Sequence, residues 1–444
     1  MRGELMEDLF ELLRAQVLEG VADLARRVAL RRAVESYVSN KKKVLSKLKH
    51  LRALGLEVRR IKEESISRMH ELVKEASEAI EENNGKAYVA RTSEEARRIV
   101  AEIVGEGKLI VKSKSLTCEE ILLREYLEEE FKCKVVETDL GEFIVQVRGE
   151  KPTHIINPSI HVPREEVAKT FSKLAGRELP SDIPTLVAFA REYLRKYYMK
   201  ADVGISGANV VAAQTGTIFI VENEGNARFS TNAPPVHVCV VGIEKVVPTL
   251  SDAFKVIEVL PAYATGVTMA AYVSMITSPS RTADIEKKVV YGAHGPRELH
   301  VVFLDNGRSE MARHPVFREA LYCLKCGGCL YECPVYRVLD GRFGHNYFGG
   351  VGSVWTAYTR GFDKALFAYL CTGCGRCREV CPVRVDVPRL VEELRAELVK
   401  MGFKHPKAEQ FFKNIALAGN PWGEPRERRE LVRGADREVA LRLE

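Results

Sequence analysis

Two stretches of this sequence share one cysteine spacing: CLKCGGCLYECP over residues 323–334 and CTGCGRCREVCP over residues 371–382. In each, three cysteines are separated by two residues, and a fourth follows after three more residues and precedes a proline. Three thiolates at this spacing can surround one iron–sulfur cubane, and the glycines between them let backbone N–H groups approach the sulfides. The fourth cysteine points away from its own loop and ligates the neighbouring cluster. The spacing therefore predicts two [4Fe–4S] clusters with exchanged fourth ligands.

This rule assigns every clustered cysteine to one of two ligand sets. The first set is Cys323, Cys326, Cys329 and Cys381, and the second set is Cys371, Cys374, Cys377 and Cys333. Two structural zinc sites are the alternative, since zinc also takes four thiolates. Zinc modules normally present cysteines in separated pairs, whereas here an evenly spaced triplet followed by Cys-Pro occurs twice. The pattern favours iron–sulfur clusters over zinc.

The segment between the two runs, residues 334–370, indicates which kind of module holds the clusters. It is longer than the β-rich link of a minimal bacterial ferredoxin, and it contains helix-forming sequence such as residues 365–370. This is typical of the α-helical ferredoxin module of respiratory and heterodisulfide reductase subunits, an analogy at the level of the fold. We expect this module over residues 311–401. A C-terminal tail, residues 402–444, follows and ends in a charged, helix-like segment over 426–443.

Two further regions precede the cysteines. Residues 1–82 are predicted to be helical, because leucines recur every three residues from position 45 to position 54 between Lys- and Arg-rich faces. Residues 83–310 alternate between strand and helix patterns, which predicts one α/β domain with a mostly parallel sheet. The predicted strands are 87–90, 108–112, 134–137, 143–147, 154–156, 217–221, 236–241 and 299–304; the predicted helices are 93–104, 118–130 and two between 164 and 198.

Composition excludes several classes of protein. The net charge is only +6 over 444 residues, and basic residues are mixed with acidic ones, so a nucleic-acid partner is not expected. The longest apolar stretch, residues 256–277, is interrupted by Glu, Pro, Gly and Ser, which argues against a membrane span and leaves peripheral membrane contact open. Acidic residues within the first turns argue against a secretory signal. We therefore expect a cytoplasmic protein.

Three of the eleven cysteines lie outside the two runs: Cys118, Cys133 and Cys239. None has a Cys or His at a ligand spacing, so we expect each to be a small, buried apolar side chain. A disulfide framework is not expected in a cytoplasmic chain of this length.

Candidate substrate-binding residues follow two predicted strands of the α/β region. The first group lies at a predicted strand end before a helix, where backbone N–H groups and ammonium groups can hold a carboxylate or phosphate; it comprises Lys112, Ser113, Lys114, Ser115 and Glu120, with Glu119, Asp139 and Glu142 nearby. The second group has the polar and glycine-rich composition of ligand-contacting loops; it comprises Asn209, Thr215, Gly216, Glu222 and Asn223. Helix capping, strand-end packing and plain turns are the alternatives, because glycine turns need no ligand.

Three histidines are weaker candidates. His154 and His161 could act as a base, since oxidation of a hydroxy acid requires one, although a lone histidine near a strand is more often structural. His345 lies in the glycine-rich segment between the cysteine runs and could donate a hydrogen bond near a cluster. No Gly-x-Gly-x-x-Gly follows a strand, so no nicotinamide or flavin site is expected in this chain.

A series of ordered motifs carries a family resemblance. The motifs are VKSKS at 111–115, ETDLGEFIVQ at 137–146, HIINP at 154–158 with His161, ADVGISGAN at 201–209, QTGT at 214–217, VENEGN at 221–226, VGIEKVVP at 241–248 and LDNGR at 304–308. With the cysteine runs after them, they make the chain resemble the lactate utilization protein B family. Members of that family join an LUD domain to a two-cluster ferredoxin module.

The resemblance implies a fold, an activity and partners. The fold is an α/β LUD domain related to sugar-phosphate isomerases and CoA transferases. The activity is that of an iron–sulfur subunit in a three-subunit complex, not NAD-dependent, that oxidises L-lactate to pyruvate and passes electrons to a quinone or a carrier protein. The partners are a Cys-rich subunit with CCG motifs and a smaller LUD-domain subunit. Residues 414–422 resemble the linker that precedes CCG domains, which makes the tail a candidate docking site.

A second function stays open at this point. The chain could instead be an electron-transfer and scaffold subunit of a heterodisulfide-reductase-like or ferredoxin-linked oxidoreductase, with no lactate chemistry of its own.

Overall fold

The N-terminal region is helical, as predicted. A computed structural model describes residues 2–424, and there helices occupy α1 (Arg2–Ala22), α2 (Leu24–Lys47), α3 (Leu51–Ser67) and α4 (Met69–Glu82). The Asp23 carboxylate caps α2 by accepting from the Arg26 N–H, which fixes the break between the first two helices. Helices α3 and α4 bury their apolar stripes against the rest of the chain, with Val58 and Leu72 fully buried.

The middle region contains the strands and the helices that connect them. The strands are β1 (Lys86–Ala90), β2 (Leu109–Lys112), β3 (Lys134–Glu137), β4 (Val203–Ser206), β5 (Val210–Ala212), β6 (Thr217–Glu222), β7 (Val236–Gly242), β8 (Val246–Val247), β9 (Tyr272–Ile276), β10 (Arg281–Thr282), β11 (Val290–Tyr291) and β12 (Glu298–Leu304). The helices are α5 (Ser93–Val104), α6 (Leu116–Glu120), α7 (Leu123–Glu129), α8 (Leu140–Arg148), α9 (Arg164–Ala175), α10 (Ile183–Tyr198), α11 (Asn226–Asn232), α12 (Leu250–Ala264) and α13 (Arg308–Arg313).

The main sheet is parallel and has the strand order β1-β12-β7-β4-β2-β3. Its central strand β7 is buried on both faces, as expected for a parallel sheet covered by helices on both sides. A smaller sheet, in the order β8-β5-β6-β9, packs beside it, and β10 pairs with β11. The loops that follow β2, β3, β4 and β7 meet at one edge of the main sheet, because the carboxyl ends of parallel strands lie together.

Three predictions of local structure in this region were wrong. The apolar run 143–147, predicted as a strand, lies in α8, which Asp139 caps by accepting from the Glu142 N–H. Residues 154–156 form turns, in which the His154 ring accepts from the backbone N–H groups of Ile156 and Asn157. The predicted helix 118–130 is divided into α6 and α7 by Leu122, whose φ is +51°.

The C-terminal region is helical. Its helices are α14 (Gly328–Glu332), α15 (Tyr336–Leu339), α16 (Gly349–Arg360), α17 (Arg376–Val380), α18 (Val387–Lys400) and α19 (Pro406–Ala418), with 3₁₀ turns at Phe317–Tyr322, Asp340–Arg342 and Phe362–Leu370. Between residues 311 and 424 no strand is present, which agrees with the predicted α-helical module. The predicted helical segment 426–443 lies outside the described residues.

Helix α3 packs directly on the end of the second cysteine run. The Arg59 guanidinium donates to the carbonyls of Val383 and Arg384, each at 2.9 Å, and to the Glu319 carboxylate at 2.9 Å. The N-terminal helices therefore hold the cysteine module in place. Within residues 2–424, none of the helices combines the length and the apolar character that crossing a lipid bilayer requires.

Candidate functional site

The two cysteine runs fold into loops with the same backbone course. In the first loop, residues 323–329, Lys325 and Gly327 have φ of +56° and +70°; in the second loop, residues 371–377, Gly373 and Gly375 have φ of +66° and +77°. Each loop follows a 3₁₀ turn and leads into a five-residue helix, α14 or α17. Left-handed backbone is costly for a residue with a Cβ, so Lys325 must be held there by its surroundings.

Each loop of three sulfurs meets the fourth cysteine of the other run. One cavity is lined by Cys323, Cys326, Cys329 and Cys381, and also by Cys377. A second cavity is lined by Cys333, Cys371, Cys374 and Cys377, and also by Cys329. This is the arrangement that exchanged fourth ligands require.

The sulfur environment fits iron–sulfur clusters. Backbone N–H groups of Lys325, Tyr336 and Val385 point at the sulfurs of Cys323, Cys333 and Cys381 at 3.4, 3.5 and 3.4 Å. Burial, and then the neighbouring cysteines, raises the pKa of the Cys326 thiol to about 11 and that of Cys377 to about 12. Thiolates at such positions are formed only when a cation compensates them, and bound iron supplies that positive charge.

The two loops differ in exposure. The first loop is enclosed by the α/β region and the N-terminal helices: a Cβ on Gly327 would lie 2.9 Å from the His154 ring. In the second loop Cys374 is exposed, and the space around Gly373 and Gly375 is open to at least 4 Å. The first set, with one buried and three half-buried cysteines, is therefore the more enclosed and is called the internal set, whereas the second set reaches the surface at Cys374.

A buried charge network lies behind the first loop. The Arg308 guanidinium, with no exposed surface, donates to both oxygens of Glu120 at 2.9 and 2.8 Å and to Glu244 at 2.5 Å. The Lys325 ammonium lies 3.0 Å from the other oxygen of Glu244 and 3.6 Å above the centre of the Trp355 ring. Burial alone would raise the pKa of Glu244, but Arg308 and Lys325 hold it well below its usual range. The network thus ties the first loop to the α/β region.

Positive charge is in excess in this network. Within the described residues it contains four cations and two carboxylates: Arg308, Lys325, Lys62 and Lys245, against Glu120 and Glu244. Lys62 donates to the Glu244 carbonyl and Lys245 to the Ala208 carbonyl at 2.6 Å. Burial lowers the pKa of each of these two lysines to about 8. The surplus of positive charge lies beside sulfurs that bear negative charge when they ligate iron.

A cleft of about 600 Å³ opens at the carboxyl edge of the main sheet, and we call it the sheet-edge cleft. Six predicted substrate-binding residues line it, together with residues that follow other strands and two residues of the first cysteine loop. The six are Ser113, Lys114, Ser115, Asn209, Glu222 and Asn223; the others that matter here are Asp139, Glu224, Lys245, Leu324 and Lys325. The cleft therefore adjoins the internal cysteine set.

Four other predicted substrate-binding residues lie outside the lining of the sheet-edge cleft. Lys112 is buried and pairs with Glu119 at 2.8 Å and Glu137 at 3.0 Å. Glu120 belongs to the buried charge network. Thr215 bonds Thr217 at 2.7 Å, and Gly216, with φ +64°, packs on the α4 backbone at Ile80. Packing and ion pairing account for these four positions.

Several of the lining residues also have structural partners. Ser115 caps α6 by accepting from the Cys118 N–H, and Asn209 accepts from the Val221 N–H at 2.8 Å. Glu222 accepts from two backbone N–H groups of α11. Lys114 lies 3.0 Å from Asp139. Lys245 was missed as a site residue in the sequence, although its place just after β7 was a usable signal.

The three candidate histidines have structural surroundings. His154 is completely buried, and burial lowers its pKa to about 3, so it is neutral. His161 lies between Thr153 and Glu150, at 2.9 Å from each. His345 packs edge-on against Phe367. The remaining cysteines, Cys118, Cys133 and Cys239, are buried, as predicted.

A parallel α/β domain joined to a helical module with two cavities lined by cysteines of both runs defines an iron–sulfur electron-transfer protein. The LUD domain model matches residues 73–304, and the 4Fe-4S dicluster domain model matches residues 319–385. The chain is 36% identical over 384 residues to lactate utilization protein B of Shouchella clausii (strain KSM-K16), covering 85% of this chain and 78% of that one. It is 36% identical over 408 residues to lactate utilization protein B 1 of Bacillus mycoides (strain KBAB4), covering 90% and 81%.

Another relative is the "Uncharacterized electron transport protein YkgF" of Escherichia coli (strain K12), 31% identical over 411 residues that cover 92% of this chain and 84% of that one. A solved DUF162 family protein from Deinococcus radiodurans matches 53% of this chain and 98% of its own, at 15% identity and a TM-score of 0.30. The chain belongs to the lactate utilization protein B family, and it carries two [4Fe–4S] clusters.

Proposed function

We propose that this chain is the iron–sulfur electron-transfer subunit of a complex that oxidises L-lactate, or a related 2-hydroxy acid, to the 2-oxo acid. The observation that carries the proposal is the contrast between the two cysteine sets. One set is enclosed beside the LUD domain and its cleft, and the other has an exposed cysteine, Cys374. An inner and an outer centre in one chain suit transfer from a buried substrate site to an external acceptor. The names of the relatives supply the substrate class.

The ligand sets of the two clusters are part of the proposal. We assign Cys323, Cys326, Cys329 and Cys381 to the inner cluster, and Cys371, Cys374, Cys377 and Cys333 to the outer cluster. When bound, the clusters supply one-electron transfer. The chain's own residues exclude water from the inner set, direct backbone N–H groups at the sulfurs and surround the first loop with ammonium and guanidinium groups.

We expect the partner subunits to bind near the outer cysteine set. The second loop is exposed, and α19 presents apolar side chains to solvent: Phe412 is 67% exposed, Leu417 89% and the following Trp422 80%. Exposed apolar clusters of this kind mark protein contacts. We infer that the CCG-motif subunit docks on α19 and the turn at Trp422. A smaller LUD-domain subunit completes the complex, and a quinone or carrier protein accepts the electrons.

We also propose a cytoplasmic location, since free cysteine ligands persist in a reducing compartment.

Substrate-dependent bleaching of the iron–sulfur absorbance tests the function. The anaerobically purified complex is mixed with L-lactate, with and without the CCG-motif subunit, and the visible absorbance is followed. Bleaching by L-lactate supports the proposal. Bleaching only by a reduced carrier contradicts it and favours the scaffold alternative without lactate chemistry. Trp422→Ala should weaken binding of the CCG-motif subunit, whereas Leu56→Ala, an exposed apolar side chain on α3, is the matched control.

A further inference from the structure

The charged side chains of the sheet-edge cleft form two groups, one in which cations predominate and one in which carboxyl groups predominate. Lys245 and Lys325 belong to the buried charge network, in which cations outnumber carboxylates. Asp139 and Glu224 belong to a second group, in which Lys114 is the ammonium between them. Both groups line the same cleft. A ligand that fits both must carry a negative charge at one end and a hydrogen-bonding group at the other.

The cationic group has fewer carboxylates than cations. Lys245 donates to the Ala208 carbonyl at 2.6 Å, and this is its one hydrogen bond in the described part of the chain. An ammonium group has three donors, so further donors are available to an acceptor in the cleft. The nearest carboxylate of the network, Glu244, is already engaged by Arg308 and Lys325. Burying an ammonium without an anion paired to it is costly, and an anionic ligand would reduce that cost.

The acidic group offers a hydrogen-bonding partner. A Glu224 oxygen accepts from the Leu140 N–H at 3.1 Å, and the Asp139 carboxylate is neutralised by Lys114 at 3.0 Å. Burial, and then the charge of Asp139, raises the pKa of Glu224 to about 7. Near neutral pH its carboxyl group can therefore either accept a hydrogen bond from a hydroxyl or donate one.

We propose that the sheet-edge cleft binds small 2-hydroxy carboxylates, with the carboxylate held by Lys245 and the hydroxyl held by Glu224. This assignment rests on the proposed function for its substrate class. The two residues follow different strands, β7 and β6, and the fold brings both to the cleft that adjoins Leu324 and Lys325 of the first cysteine loop. The volume of about 600 Å³ exceeds that of the smallest acids, so the cleft also has room for larger 2-hydroxy acids.

Calorimetry with three probes tests the proposal. The full chain, reconstituted anaerobically with iron and sulfide, is titrated with L-lactate, with propionate, which lacks the hydroxyl, and with lactamide, which lacks the carboxylate. L-lactate should bind more tightly than either of the other two. Lys245→Gln should weaken L-lactate and propionate binding by about tenfold or more, since a charge-assisted bond is lost. Glu224→Ala, which removes both the donor and the acceptor, should weaken L-lactate binding while leaving propionate binding unchanged.

Matched variants separate these effects from general damage. Lys200→Gln and Glu192→Ala, at exposed positions, should bind all three probes like the parent chain. Lys245→Arg should retain carboxylate binding, and iron content checks that each variant is folded around its clusters. Equal binding of lactamide and L-lactate would overturn the proposal, as would unchanged L-lactate binding in Lys245→Gln.

A failure of the cleft assignment can be distinguished from a failure of the proposed function. If the complex bleaches with L-lactate while this chain binds none, the cleft assignment is wrong and the function stands. If the cleft binds L-lactate as described and the complex does not bleach, the function is wrong and the cleft assignment stands.

Discussion

The Lys325 ammonium, two residues after Cys323, lies 3.0 Å from the Glu244 carboxylate that follows β7. This contact joins the first cysteine loop to the edge of the parallel sheet. It also explains how a lysine is held in left-handed backbone, because its side chain is fixed between a carboxylate and the Trp355 ring. The cluster module and the LUD domain thus share one buried electrostatic unit.

Glu244→Gln should destabilise the protein strongly. The variant removes a carboxylate that serves both Arg308 and Lys325, and it leaves buried positive charge without compensation. Breaking a buried ion pair from one side typically costs about 3–5 kcal/mol in the free energy of unfolding. Anaerobic urea unfolding measures the loss. Glu258→Gln, in a half-exposed pair with His50, is the control and should change stability by no more than about 0.5 kcal/mol. A loss below about 1 kcal/mol in Glu244→Gln would contradict this account.

Lys325→Met should lower the reduction potential of the inner cluster. Reduction adds negative charge to the cluster, and a buried ammonium beside the loop stabilises that charge. A redox titration followed by EPR measures the potentials of both clusters. Arg376→Met, in the exposed second loop, removes a charge that solvent screens and should shift the outer potential less. Equal shifts of the reduction potential in the two variants would contradict this prediction, since burial of the cation would then not increase its effect on the cluster.

The proposed exchange of the fourth ligands predicts that cysteine variants in one run damage the cluster held mainly by the other run. Cys333→Ser lies in the first run, yet it should damage the same cluster as Cys374→Ser; Cys381→Ser should match Cys323→Ser. Iron should fall from about eight per chain to about four in each variant. Iron analysis and the EPR signals of the remaining cluster distinguish the pairs. Cys133→Ser, a buried thiol that bonds the Gly105 carbonyl, should keep all of its iron. If Cys333→Ser instead matched Cys323→Ser, each run would hold its own cluster.

The cysteine module was predictable from sequence because the residues that define it lie close together in the chain. The spacing within each run fixes the loop, and the helical link fixes the kind of module. The α8 helix was equally predictable: Asp139 and Glu142 form a capping box pattern, and Gly149 ends the helix with φ +67°. The prediction of a strand rested instead on the short apolar run of residues 143–147, and such a run does not distinguish a strand from a helix.

The sheet-edge cleft could be predicted only in part. Ser113, Lys114 and Ser115 are contiguous, so their place after one strand was apparent. The position of Lys245 just after β7 was a usable signal, but which residues it would meet depends on β7 lying next to β4 in the sheet, and sequence order does not reveal that neighbour. The pairing of Glu120 with Arg308 was not apparent from the sequence either, since Arg308 comes from the far end of the domain.

Gly55→Ala should destabilise the protein, although alanine favours helices. At an exposed position in α3 the substitution would stabilise the helix by about 1 kcal/mol. A Cβ at Gly55, however, would lie 2.5 Å from the carbonyl oxygen of Pro382, the residue after Cys381. Backbone cannot move as a flexible side chain can, so we expect a net loss of about 1–3 kcal/mol, the usual cost of overpacking.

The same substitution should also disturb the inner cluster, because Pro382 directly follows the ligand Cys381 and a shift of its backbone would move that cysteine. Thermal unfolding gives the stability, and the EPR signal of the inner cluster reports the displacement. Gly20→Ala is the matched control: its Cβ would lie 3.0 Å from the end of the Leu339 side chain, which can rotate away. A stabilised Gly55→Ala protein with unaltered EPR would mean that α3 does not press on the cluster segment.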